Sequence, residues 1–410
     1  MNSYKNKSVL IWDSGTFFHL AQKLAQLFGN VYYYSFWQSQ SPKSNMSAVG
    51  VGFEDQGIYR VDFPFDVIDE VDLIVFPDVY SGDVQVFLSD NDYRVFGSRH
   101  GDKLELDRKF QKEFCKQNGI PIGPYIEING IDELKEFVKN NDDIWIKTSG
   151  MYRGDEGAET FHSKNHEQGR PHIHRMEVEV GIRKDLITWI CEKPIEGIED
   201  GYDGYSIDGQ FPQKNIYGVE VKDKAYLCKV INKVPDHIKL VNDKLSAYFK
   251  EQQYRNFFST ELRDGKLTDP CCRAGSPPSE IMMLMIKNIA DVIYQGAGGE
   301  LIEPEFDHKY GSQLIVYSDF AKMDWTSVQF PEEYADNIKF KNLAYIGDRL
   351  YFVPNISPFP QIGAVVAEGD TTDEAIEKCK QIAESIEGFD LRVFPEALDQ
   401  AKENLIKLQG

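Results

Sequence analysis

The chain has few cysteines and no arrangement that would use them together. Six (Cys115, Cys191, Cys228, Cys271, Cys272 and Cys379) are scattered through 410 residues, without a CxxC pair or a regular spacing. That argues against a disulfide scaffold and predicts reduced, mostly buried thiols. Long apolar runs are missing too: none approaches the ~20 residues that a spanning helix needs, and the opening MNSYKNKS has no apolar signal core. Cations are in deficit, 45 Lys and Arg against 66 Asp and Glu, for a formal charge of −21. A duplex nucleic-acid binder requires the opposite balance, because binding displaces counterions from phosphates. The expectation is a cytoplasmic protein, monomeric or homodimeric, acting on small molecules. Its 41% hydrophobic and 13% aromatic content suits a folded chain, and its length suits two or three domains at about 150 residues each.

The chain opens as strand, tight loop, helix and strand. Val9 to Trp12 is apolar, Asp13-Ser14-Gly15 has turn chemistry, Phe17 to Phe28 has helical spacing, and Val31 to Phe36 is rich in β-formers. Further short strands, Asp72 to Phe76 and Arg94 to Phe96, predict a doubly wound parallel sheet over residues 1–103. From Leu104 comes a charged amphipathic helix, LELDRKFQKEFCKQNG, with Gly119 as its C-terminal stop. A helix at DELKEFVKNN, a strand at Ile144 to Lys147, a glycine-containing loop to Gly157 and a strand at AETFH follow. LITWICEKPI, YDGYSIDGQ and NIYGVEVKDKAYLCKVI read as further strands, and residues 236–253 as a helix. FFSTELRDGKLTDPCC reads as a hairpin around Asp264-Gly265, and EIMMLMIKNIADVIYQ as one apolar helix. The last helix opens on the capping box Thr371-x-x-Glu374. The fold class is α/β with α+β parts, in three domains: 1–103, 104–295 with a hinge near 192–199, and 296–410.

An ordered series in the middle carries the chemistry. It comprises Arg108 on a helix, the strand-end Lys147 before a glycine loop, a strand ending Glu-Lys-Pro-Ile-Glu-Gly, and a hairpin bearing Glu261, Asp269 and then Arg273. A nucleoside triphosphate with Mg²⁺ needs such parts: cations on phosphates, a loop over them, an apolar edge for the base and hard oxygen ligands for the metal. Glu261 and Asp269 share a face of the hairpin only if its turn has an odd number of residues; a strict Asp264-Gly265 turn would put them on opposite faces.

These segments resemble the ATP-grasp carboxylate–amine ligases, specifically the phosphoribosylamine–glycine ligase branch. LELDRKFQKEFCKQNGIPIGPY is similar to that branch's helix and GIPT-type strand, IWIKTSG to its VVKADG strand, CEKPIEGIEDGYDG to its EEFLEGEE hinge, and TDPCCRAGSPPSE to its EFNxRFGDPE segment. IGAVVAEGDTTDEAIEKCKQIAESI resembles the VxGVVATGDTLEEAIERAYKAVEKI run of the C-terminal domain. The RGDxxxET stretch from Arg153 to Thr160 looks more like divergent, often virus-encoded members, for which the compartment would be the host cytoplasm. The resemblance implies an ATP-grasp fold and ATP with Mg²⁺, or Mn²⁺, as cofactors. It places Arg108 and Lys147 on the phosphates, Arg153 among the residues that bind the nucleotide, Glu192 with Lys193 to Ile195 on the adenine edge, and Glu199 on the ribose. Glu261 and Asp269 would bind metal, Arg273 and Lys147 would act in catalysis, and Gly15, His19, Asp203 and Ser276 would line the substrate site. The implied activity converts a small carboxylate to an acyl phosphate and couples it to an amine.

The pattern departs from the family in three places. Cys271 stands where the family has a metal-site Asn, a poor ligand for hard Mg²⁺, and Asp269 shortens its Glu. Asp13 to Ala21 keeps Gly15 and His19 of the GxGGREHAL fingerprint without its Arg-Glu pair, and LAYIGDRLYF replaces the HxGT element. A nucleotide-binding regulator without ligase activity, and a ligase acting on a peptide or modified nucleotide, are therefore alternatives. Four of the eight histidines, His162, His166, His172 and His174, cluster in sequence; zinc is one reading and a solvated segment near the ATP lid the other. Asp203 and Asp208 lack the order of a calcium loop.

Overall fold

The computed structural model describes residues 4–35, 46–149, 160–354 and 360–409. Its first layer is a parallel sheet of β1 (Tyr4–Asp13), β2 (Phe28–Ser35), β3 (Ile58–Arg60), β4 (Leu73–Val75) and β5 (Val95–Phe96), in the order β3-β2-β1-β4-β5. Val9, Leu10 and Ile11 are fully buried, as expected of a parallel strand covered on both faces. Helices α1 (Phe18–Ala25) and α2 (Gly82–Asp90) are among the crossovers. Strand order reverses on either side of β1, so Asp13 at the end of β1 and Asp78 beyond β4 border a crevice of the kind that takes ligands in open α/β sheets.

Helices α3 (Lys103–Leu106) and α4 (Arg108–Asn118) lead into a small antiparallel sheet. Its strands are β6 (Tyr125–Asn129), β7 (Ile144–Ser149), β8 (Phe161–Ser163) and β9 (Thr188–Glu192), in the order β6-β9-β7-β8. Helices α5 (Ile131–Asn140) and α6 (His166–Val180) cover it around a core of its own, including Leu134, Ile146, Ile173, Met176 and Trp189. A linker over 193–198 enters the third layer, an eight-stranded sheet. It contains β10 (Glu199–Ile207), β11 (Asn215–Val221), β12 (Ala225–Ile231), β13 (Arg255–Arg263), β14 (Lys266–Cys271) and β15 (Tyr310–Tyr317), joined by β17 (Ile338–Phe340) and β20 (Gln361–Gly369). The order is β14-β13-β10-β11-β12-β15-β20-β17, so strands on both sides of residue 296 belong to one sheet. Helices α7 (Asp236–Glu251), α8 (Ser279–Met285), α9 (Ile289–Ala297), α10 (Thr372–Glu384) and α11 (Glu396–Gln409) complete the body. A minor sheet holds β16 (Thr326–Gln329), β18 (Leu343–Ile346), β19 (Arg349–Phe352) and β21 (Glu387–Gly388). Among the described residues, no helix is long and apolar enough to cross a membrane.

Three expectations about local structure change. The run NIYGVEVKDKAYLCKVI is a hairpin, because Asp223 takes a positive φ of 58° and turns β11 into β12. The apolar run EIMMLMIKNIADVIYQ is two helices, since the Lys287 amide donates to the Glu305 carbonyl at 2.9 Å and the Asn288 side chain bonds both Glu303 and Glu305. Those tertiary bonds outweigh helix continuity. The histidine-rich stretch acquires regular structure, with His162 on β8 and His166, His172 and His174 on helix α6, where His172 and His174 are exposed to solvent; the helix is capped by the Asn165 side chain, which accepts from the Gln168 amide.

Candidate active site

Helix α4 brings two cations to the site. Asp107 caps it by accepting from the Phe110 amide, and the Ser149 hydroxyl donates to the same carboxylate at 2.9 Å, fixing the helix start against β7. Arg108 and Lys112 lie four residues apart on its buried face. Arg108 donates through two nitrogens to the two oxygens of Asp269, one contact measuring 2.9 Å. Burial alone would lower the Arg108 pKa, but Asp269 outweighs it and holds the guanidinium above its ordinary range. Lys112, fully buried, pairs with Glu192 at the end of β9. The Lys147 ammonium reaches the other Glu192 oxygen at 2.8 Å and donates to the Thr268 carbonyl at 2.9 Å. Burial pushes Glu192 up, yet Lys147 and Lys112 prevail and keep it below the usual carboxylate range.

The hairpin carrying Glu261 and Asp269 resolves the register question unexpectedly. Its turn is the two-residue Asp264-Gly265, with φ of 50° and 68°, so alternation alone would separate the two acids. The ladder nevertheless pairs Glu261 with Asp269, Leu262 with Leu267 and Arg263 with Lys266, leaving Thr268 as the extra residue of a bulge. That bulge returns both carboxylates to one face. It also puts Thr268 in reach of both sides of the site: its hydroxyl donates to the Glu261 carbonyl at 2.9 Å while its own carbonyl holds Lys147.

On the same face Glu199, Glu220 and Glu261 each offer a carboxylate oxygen within 4.8 Å of the others. Lys222 lies 3.9, 3.7 and 3.6 Å from them respectively. Arg263 anchors one Glu199 oxygen at 2.9 Å, while the other, Oε1, is buried with no hydrogen-bond partner among the described residues. A buried orphan oxygen beside two more carboxylates is the donor chemistry of a hard divalent cation. Burial, with Glu199 and Asp269 nearby, pushes Glu261 up to about 8. Glu261 in turn raises Lys222, which is about half exposed. Lys222→Met is expected to destabilise the metal-free protein by only about 1 kcal/mol, because solvent screens the ammonium. Mg²⁺ should then raise the melting temperature more in the variant than in wild type; equal shifts in a calorimetric scan would show that the carboxylates take no cation.

Arg273 lies where the third layer meets the first. Its Nε donates to Glu105 on α3 at 2.9 Å and its Nη1 to Asp78 at 3.0 Å. The Ser14 hydroxyl bridges to Asp78 at 2.8 Å, and Asp13 accepts from Tyr33 and from the Phe17 amide. Burial lifts Asp13 to about 6. Gly15 takes a positive φ of 96° in this loop. His19 is buried on α1, with Nε2 3.4 Å from the Ser279 hydroxyl, and Ser276 bonds Glu280. Thus Gly15, His19, Ser276 and Arg273 border one crevice.

The remaining expected residues are placed elsewhere. Asp203 is buried in the eight-stranded sheet, bonded to the Tyr226 hydroxyl, and burial raises it to about 7. Lys193 is exposed and donates to the Asp142 carbonyl, while Ile195 packs beside Gly123 in the linker. Arg153 lies outside the described residues. The four histidines do not converge: His162 bonds Asp143 and stacks on Trp145, His172 stacks on Phe161, and His174 faces Glu177. All six cysteines are free, and Asp208 pairs with Arg255.

No protein-family model and no curated protein sequence matches the chain. Solved structures do. The phosphoribosylamine–glycine ligase of Thermotoga maritima aligns with a TM-score of 0.70 at 17% identity, over 94% of this chain and 98% of that one. The chain has the ATP-grasp fold. The biotin carboxylase domain of Hydrogenobacter thermophilus 2-oxoglutarate carboxylase, solved with MgADP and bicarbonate, shares that fold at a TM-score of 0.62 and 12% identity, over 94% and 91% of the two chains. N5-carboxyaminoimidazole ribonucleotide synthetase of Thermotoga maritima shares it at 0.55 and 13%, over 95% and 100%. Within this ATP-grasp body, sequence reading missed Lys112, Glu105, Glu220, Lys222 and Asp78. Lys112 had a signal, its helical spacing from Arg108; Lys222 was concealed by reading β11 and β12 as one run.

Proposed function

We propose that the protein is an ATP-dependent ligase that activates a small carboxylate as an acyl phosphate and couples it to an amine, releasing ADP and phosphate. One observation carries this reading: an unbroken chain of contacts runs from Lys112 through Glu192, Lys147 and Thr268 to Glu261. It ties ammonium groups to the strand that carries the carboxylate cluster, its last link being the Glu261 main-chain carbonyl, so that cations and hard oxygen donors are assembled around one bulged hairpin, as a phosphate chain with a divalent cation requires. In this reading Lys147 and Arg108 face the phosphates, Glu192 and the 193–195 backbone border the base, and Arg273 faces the transferred phosphoryl group. Glu199, Glu220 and Glu261 would hold Mg²⁺, which when bound neutralises phosphate charge. Asp269 supports the cluster and orients Arg108. Arg273, held by Glu105 and Asp78, needs no reorganisation to meet charge that builds up as the substrate carboxylate attacks the γ-phosphate.

The test is ADP release with Mg²⁺ and ATP over a panel of amino acids crossed with amines, with products identified by mass spectrometry. Amine-dependent ADP release with a new C–N bond is the expected result. A second reading, a nucleotide-binding regulator, draws on Asp269 being engaged by Arg108 and on Cys271 beside it. Tight ATP binding by calorimetry without ADP release for any pair would favour that reading.

A further inference from the structure

One face of the parallel sheet is thinly covered. Leu10 and Trp12 of β1, Tyr32 and Tyr34 of β2 and Tyr59 of β3 leave the sheet on the side away from Val9, Ile11 and α1. Crossover helices ordinarily bury both faces of such a sheet. Here the connection from β3 to β4 supplies only two short 3-10 turns, Pro64–Asp66 and Ile68–Glu70. Ile68 is buried by them, but Phe63 stays 54% exposed, Phe65 44% and Tyr59 38%. The rings form a run: Phe63 meets Phe65 with centres 5.4 Å apart, Phe65 meets Trp12 at 5.7 Å, and Trp12 meets Tyr34 at 5.3 Å. Clustered exposed aromatics are the composition of a protein interface rather than of ordinary surface.

The charge around the rings selects what fits them. Asp62, Asp66 and Glu70 are exposed beside the aromatic run, and among the described residues none of them forms an ion pair or a side-chain hydrogen bond. Between residues 54 and 72, Arg60 is the only cation against seven acids. Its guanidinium is engaged by the carbonyls of Tyr33, Ser35 and Ser47, each at 3.1 Å. A second copy of the chain would set the same acidic rim against itself in a two-fold interface, and an anionic membrane would be repelled. A guanidinium suits both components of the surface, stacking on aromatic planes and pairing with carboxylates, and does the former better than an ammonium. Arg60 shows that chemistry within the chain, its guanidinium lying over the Tyr34 ring at 5.7 Å.

We propose that this face of the N-terminal sheet docks an arginine-rich segment of a partner protein, with guanidinium groups stacked on Phe63 and Phe65 and paired with Asp62 and Asp66. The proposal is independent of the ligase reading. The test is titration of the full chain, at about 0.1 M salt, with a fluorescent octa-arginine peptide and separately with octa-lysine, read by anisotropy. Octa-arginine is expected to bind at least about twofold more tightly than octa-lysine, and Phe63→Ser, which alters no charge, to weaken it about two- to fivefold. Asp62→Asn with Asp66→Asn should weaken it about threefold or more. Glu332→Gln with Glu333→Gln removes two exposed charges elsewhere on the chain and should change binding by less than about twofold. A thermal melt of each variant checks that the fold is intact. No octa-arginine binding by wild type, equal affinity for the two peptides, undiminished binding by a folded Phe63→Ser, or equal losses in the two charge-pair variants would each overturn the proposal.

Discussion

Lys147→Met is expected to lower ATP-dependent ADP release by about a hundred- to a thousandfold, the usual cost of removing one preorganised group that meets charge developing in a transition state. Lys147 is held from two directions, by Glu192 at 2.8 Å and by the Thr268 carbonyl at 2.9 Å, so its ammonium is fixed before any ligand arrives. The fold should survive, because Lys112 continues to neutralise Glu192. Steady-state ADP release and a thermal melt on the same preparation check both halves. Wild-type turnover in a folded variant would remove Lys147 from the mechanism.

Asp269→Ala is expected to destabilise the protein by about 3–5 kcal/mol, because it leaves the buried Arg108 guanidinium without its counter-charge. Asp269→Asn keeps one acceptor oxygen for Arg108 and should cost less. Replacing both partners with apolar residues, Arg108→Met with Asp269→Leu, should restore much of the stability while ADP release stays lost. Urea unfolding of the three variants decides: an alanine variant as stable as wild type would mean that water, not Asp269, satisfies Arg108.

The parallel strands were legible because they are buried on both faces and read as unbroken apolar runs, as Val9 to Ile11 do. Helix α4 was legible from its period and its Gly119 stop. The hairpin turn was legible too, since Asp264-Gly265 adopts the two positive φ values that those residues favour. Its bulge was not, because Thr268 gains its place from Lys147, a partner 121 residues away. Nor was the break before α9, which follows from bonds to Glu303 and Glu305.

By itself, then, the sequence determined the elements, their order and the stock of charged groups from which a site is built, because period, caps and turn residues act within a few positions of the chain. Only the tertiary structure decided which charges meet: Arg108 with Asp269, Lys112 and Lys147 with Glu192, and three glutamates around Lys222. Charge pairing depends on distance and burial, and both are set when the sheets come together.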